Sequence, residues 1–238
     1  MSEHIDNEER RKFIRSSLSI IPAVSLTSTL GMPSWANAAT EAVDLDAYQP
    51  VFFNTEEWKF LLAACDRLIP AEGDGPGALE ANVPVFIDNE LNGSFGRAAD
   101  WYMQAPFDES VSPLFGYQSP LTPAETYRKG IAAVNAYTAD TAGKPFAELS
   151  ESQRDEVLAA LQNGDIELDG VSARNFFGFL LQNTKEGYFA DPIHGGNKDM
   201  AAWKMIGFPG ARASYLEWVD QKDRSYPLGP VNINGDRG

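Results

Sequence analysis

The stretch SARNFFGFLLQNTKEG, residues 172–187, carries Phe176, Phe177, Phe179, Leu180 and Leu181 within two helical turns. Ser172 ahead of it is a good N-cap and Gly187 a natural stop, so the pattern predicts one helix. Apolar side chains cover most of its circumference, so it must be enclosed. An enclosed helix of this kind marks the centre of a helical domain.

Working outward from it, the same punctuation recurs. Ser150 and Gln153 form a capping box before Val157, Leu158 and Leu161, and Gly164 closes that helix. Thr122-Pro123-Ala124-Glu125 combines an N-cap, a first-turn proline and a reciprocal glutamate, followed by Tyr127, Ile131 and Val134 on one face. Asn54 and Glu57 precede Trp58, Leu61, Leu62, Cys65, Leu68 and Ile69, a helix that Pro70 halts. Asn82-Val83-Pro84 opens a shorter helix ending near Asn92-Gly93, and another helical piece is expected over Arg97–Gln104. No segment alternates apolar and polar residues as a half-buried strand does. The fold class is therefore mainly α: a single-domain irregular helical bundle over residues 54–210, preceded by an N-terminal extension, 39–53. From Gly187 to Gly238 the chain is rich in glycine and proline, with short helical pieces near 199–206 and 214–219: a long, ordered-looking loop region with a frayed end, residues 211–238 forming the C-terminal tail.

At the N-terminus, Glu9-Arg10-Arg11-Lys12-Phe13 precedes a weakly apolar stretch, Ser16 to Leu30, and then Ala36-Asn37-Ala38. The arginine pair Arg10-Arg11, with Phe13 behind it, reads as a twin-arginine export signal over residues 1–38, cleaved after Ala38. The expected location is the periplasm. The apolar stretch is too short and too hydroxylated to span a bilayer. Residues 1–38 hold four bases and four acids, so the net charge of −15 belongs to the remainder. Nucleic acid and anionic lipid surfaces are poor partners for such a chain. One cysteine, Cys65, excludes an internal disulfide, a multi-thiolate metal site and a Cys-x-x-Cys-His haem attachment.

Two constellations bear on chemistry. Gly73-Asp74-Gly75-Pro76-Gly77-Ala78 matches a dinucleotide-binding pattern, with Asp100 about 20 residues on. It follows a predicted helix instead of a strand, and Glu72, Asp74 and Glu80 put negative charge where a pyrophosphate would lie. A tight turn between two helices is the simpler reading. Asp191, His194 and Asp199 form the alternative constellation, two carboxylates and an imidazole that a metal-dependent enzyme could use. The aromatic loop residues Tyr188, Phe189, Trp203 and Phe208 must be covered either by the chain's own core or by a second protein.

Asp66-Arg67-Leu68-Ile69-Pro70, Gly73 to Ala78 and Phe86-Ile87-Asp88 resemble the front half of the gluconate 2-dehydrogenase subunit 3 family. Gly187-Tyr188-Phe189-Ala190-Asp191-Pro192, Gly195-Gly196-Asn197, Trp203-Lys204 and Gly207-Phe208-Pro209-Gly210 resemble its second signature. The resemblance implies a non-catalytic small subunit with no cofactor of its own. Its partner would be a large FAD-dependent dehydrogenase of GMC type acting on a sugar, polyol or gluconate, and a multi-haem cytochrome c would complete the complex. The same resemblance places an aromatic residue where His194 stands, which argues against a metal or catalytic role for that imidazole. The interface or scaffold residues it implies are Asp66, Pro70, Gly75, Pro76 and Gly77 in the first segment. In the second they are Phe189, Asp191, Pro192, Gly195, Gly196, Asn197, Trp203, Phe208 and Pro209.

Overall fold

Six α-helices follow one another along the chain: α1 (Thr55–Leu68), α2 (Val83–Asn92), α3 (Pro123–Ala142), α4 (Glu151–Asn163), α5 (Ala173–Phe189) and α6 (Ala201–Ile206). They come from a computed structural model that describes residues 44–73 and 75–238. The twin-arginine segment, with Arg10, Arg11 and Phe13, lies outside the described residues, as does Asp74. No strand forms among the described residues, and the β pairing consists of isolated bridges at Val231 with Gly210 and Arg237.

Three of the helices start where paired capping residues place them. Asn54 accepts the Glu57 amide while Glu57 accepts the Asn54 amide, and Thr122 with Glu125 and Ser150 with Gln153 do the same. Gly143 and Gly164 end α3 and α4 in the left-handed conformation, where glycine carries no Cβ penalty. Asn82 differs. It sits at φ 57 with no side-chain cap, and α2 is started by its carbonyl and by Pro84 in the first turn.

Helix α5 is central, packing against α1, α2, α3, α4 and α6. Its Phe176 and Leu180 are fully buried with Phe60 and Leu61 of α1, Tyr127 and Ile131 of α3 and Leu161 of α4. Phe146, from a 3-10 turn between α3 and α4, stacks on Phe60 at 4.6 Å and fills the remaining gap. Gly130 lets α3 approach α5: a Cβ there would meet the Phe176 ring at 2.8 Å or closer. Inside this core, the Tyr127 hydroxyl donates to Asn183, whose amide donates to Glu186, so the buried polar groups are satisfied.

The piece expected as helix over Arg97–Gln104 is a series of turns. Ala98 takes φ 50, which breaks any helical path, and Trp101 is held in an aromatic cluster with Phe95, Tyr117 and Phe179 of α5. Tertiary packing of one tryptophan overrides local propensity here. Nor is the end of the chain frayed, since Val231 bonds to Pro209 and Ala211 and the Gly238 amide donates to the Pro230 carbonyl. Among the described residues no helix is long and apolar enough to cross a membrane.

A buried carboxylate fastens the N-terminal extension to this bundle. Asp88 of α2 accepts the Tyr48 hydroxyl and the Val51, Phe52 and Phe53 amides, at 2.7 to 3.0 Å. Arg128 of α3 adds a second hold: it pairs with Glu57, donates to the Phe52 carbonyl and lies 4.1 Å over the Phe52 ring.

Burial also decides the chemistry of the lone thiol. Desolvation pushes the Cys65 pKa up to about 12 and raises that of the Tyr127 hydroxyl as well. Both groups hold their protons more tightly folded than unfolded, so their contribution is complete below the ordinary thiol value of 9.0 and is lost as pH climbs toward 12. Urea unfolding at about pH 8 and about pH 11 should therefore show lower stability at the higher pH. In the same experiment Cys65 should resist thiol reagents until the chain unfolds.

Candidate functional site

The two segments carrying the quoted motifs are far apart in sequence and meet in space. The C-terminal end of α5 delivers Tyr188, which is buried and donates its hydroxyl to the Pro76 carbonyl at 2.6 Å. Burial raises the pKa of that hydroxyl, with the Glu80 carboxylate acting in the same direction. The Gly75–Gly77 turn lies against it. A Cβ on Gly75 would run into the Met205 sulfur and lie 3.4 Å from the Tyr188 hydroxyl, and one on Gly77 would lie 2.7 Å from the Ala71 amide nitrogen. Lys198 donates its amide to Ala81, closing the seam. These glycines serve close backbone packing in the connector from α1 to α2, with helix α1 in front of them. Met205 and Tyr188 of the second segment lie directly against this turn.

Within that second segment, buried polar side chains hold irregular backbone. Asn197, fully buried at φ 43, donates to the Ala190 carbonyl and accepts the Ala202 amide. Trp203 buries its ring, donates its indole N–H to the Phe189 carbonyl at 2.8 Å and takes the Phe208 ring edge-on at 5.0 Å. Gly195 lies against Asn89, Pro192 is buried, and Gly196 backs directly onto Gly187.

What this framework presents outward is apolar. Phe189, Ile193, Met205, Ile206 and Phe208 are 42 to 55% exposed. Residues 185–212 hold four bases (Lys185, Lys198, Lys204, Arg212) against three acids (Glu186, Asp191, Asp199), in a chain whose net charge is −15. Glu72 and Glu80 of the adjoining connector are exposed as well, so the second segment is an exposed apolar cluster with acids at its border, the composition of a protein contact with a polar rim. Of the two fates open to the loop aromatics, Tyr188 and Trp203 take the core, while Phe189 and Phe208 remain at the surface.

The remaining residues fall differently. Asp191, His194 and Asp199 do not form a metal cage, and among the described residues no three His, Cys, Asp or Glu side chains cluster for one. Both Asp191 oxygens are occupied, one by the Ile193 amide and the other by the Ile233 amide, so this carboxylate fastens loops. Asp66 stands apart from the face, lining an open groove with Lys59, Leu62 and Arg154. Pro70 is half-buried at the end of α1, and the Pro209 carbonyl accepts the Val231 amide. Sequence reasoning missed Ile193 and Ile233. An isolated isoleucine in a loop gives no periodic signal, and only the shared Asp191 carboxylate places the two together.

The family model for gluconate 2-dehydrogenase subunit 3 matches residues 55–210, from the first residue of α1 to the glycine that bridges to Val231. The chain belongs to the gluconate 2-dehydrogenase subunit 3 family. Comparison with curated proteins and with solved structures gives no match. The matched range includes both segments, which in this chain are packed through glycines and buried polar side chains.

Proposed function

We propose that this chain is the non-catalytic small subunit of a periplasmic, FAD-dependent sugar, polyol or gluconate dehydrogenase. In this reading it docks on the large GMC-type flavoprotein, stabilises it and carries it out of the cytoplasm on the twin-arginine signal at Arg10-Arg11. FAD resides in the large subunit, and a multi-haem cytochrome c takes the electrons onward. The observation that supports docking most directly is the exposed apolar face around Phe189, Met205 and Phe208, built on buried Trp203 and Asn197. Family membership supports the choice of a dehydrogenase as partner.

The test is co-expression of the large subunit with and without this chain, followed by dehydrogenase assay of the periplasm. Activity is expected only in the presence of the chain, and its loss is expected with Arg10→Lys and Arg11→Lys together. Phe189→Asp with Phe208→Asp should leave the small subunit folded and weaken capture of the large subunit. Loss of one central anchor is worth about 2 kcal/mol, or about 30-fold in affinity. Equal periplasmic activity with and without the chain would refute the escort role.

A further inference from the structure

The residues after Gly210 lie beyond the family match, yet they return to the apolar face. Val231 is buried, bridging Gly210 on one side and Arg237 on the other. The Ala211 amide donates to the Val231 carbonyl at 2.7 Å, and the Gly238 amide donates to Pro230 at 2.9 Å. Between them the chain makes a tight turn: Asn232 and Asp236 exchange two hydrogen bonds of 2.9 Å, and Gly235 takes φ 89. A turn held this firmly presents Ile233 with 66% of its surface exposed. The Ile233 amide shares the Asp191 carboxylate with the Ile193 amide, so both isoleucines are rooted in one side chain at the margin of the face.

We propose that residues 229–238 form a chain-specific edge of the docking face, with Ile233 contacting the large flavoprotein subunit and selecting the chain's own partner. This rests on the docking reading above and adds to it which part of the contact distinguishes one complex from another. Three observations favour the large subunit as occupant. The turn is continuous with the face through Asp191. It carries one acid and one base, Asp236 and Arg237, and so is charge-balanced in a chain whose net charge is −15, as residues 185–212 nearly are. And it lies outside residues 55–210, the range the family model matches, so a contact made here is additional to those of the matched domain. Asp191 is a positioning residue in this scheme, acting through the turn.

The experiment measures affinity of the full-length small subunit for the large FAD-binding subunit of its own complex and for that of a second family complex. Ile233→Asp keeps every backbone hydrogen bond of the turn, so its melting temperature should match the parent. Its affinity for the cognate large subunit should fall at least about 10-fold, with little change toward the other, so that discrimination collapses. Asp191→Ala should weaken cognate binding similarly and also speed hydrogen exchange at the Ile233 amide. Cognate binding by Ile233→Asp within about twofold of the parent, while Phe208→Asp loses it, would overturn the edge and leave the docking reading standing. Parental binding by both variants would overturn both. Should Ile233→Asp instead disperse a dimer of the isolated chain, the edge belongs to self-association and the proposal fails.

Discussion

Asp88→Ala is expected to lower the unfolding free energy by about 3 to 4 kcal/mol. The carboxylate is completely buried and accepts four donors from residues 48–53. Net values for hydrogen bonds to a charged group are about 1.5 to 3 kcal/mol each, but the freed segment can swing into water and recover part of that loss. The total is therefore well below the sum. Asp88→Asn separates acceptor count from shape: its single carbonyl oxygen serves at most two donors, and its NH2 group faces at least one backbone N–H that cannot accept, the Tyr48 hydroxyl being the one partner able to do so. It should also destabilise substantially. Urea unfolding gives the magnitude. Hydrogen exchange locates it, since the Val51, Phe52 and Phe53 amides should lose protection before the amides of α5. Parental stability in Asp88→Ala would mean that Arg128 alone holds the segment.

Gly196→Ala is expected to cost about 3 kcal/mol, large for one methyl group. The added carbon would lie 2.8 Å from the Gly187 carbonyl carbon and closer still to its oxygen, so both sides of the clash are backbone. Retreat is blocked, because Gly187 itself abuts Phe86 of α2, where a Cβ would meet the ring at 2.8 Å. The loop must lift, taking with it Asn197 and the bonds that seat Trp203 beneath Phe189. Binding to the large subunit should fall in parallel with melting temperature, unlike the surface variants, which affect binding alone. Gly178→Ala provides the contrast within the same molecule. Nothing lies within 4 Å of its added carbon, and in an exposed position of α5 it should stabilise by up to about 1 kcal/mol.

These two residues show how far the sequence could be read. Helix starts were legible at Asn54, Thr122 and Ser150 because both members of each capping pair lie within four residues. The centre of the bundle was legible in residues 172–187 because a helix packed on several neighbours carries a dense apolar record, although α5 keeps one exposed side at Arg174, Gly178, Gln182 and Lys185 and is not enclosed all round. Asp88 left no such record. Its donors lie 35 to 40 residues away, and an aspartate among Phe86, Ile87 and Leu91 shows only that something must satisfy it. The turns over 97–104 were misread as helix because Trp101 is placed by Phe179, some 80 residues later, and not by its neighbours. The motif glycines were legible as close packing, but their contact atoms were not: Gly75 meets Met205 and Gly196 meets Gly187 only after the fold closes. The exposed isoleucines were silent for the opposite reason, since a surface side chain imposes no pattern on the residues around it.

Trp203 has one more consequence, an optical one. Its indole sits beneath the apolar face, stacked edge-on with Phe208 and hydrogen-bonded to the Phe189 carbonyl, so the two exposed aromatics nearest any incoming molecule are the two it touches. Fluorescence from this position should register an arriving protein without a dye. The sequence holds four other tryptophans, among them Trp58 and Trp101 seated elsewhere and Trp218 stacked on Tyr226, so replacing Trp203 by phenylalanine would remove its share of the signal and identify its origin.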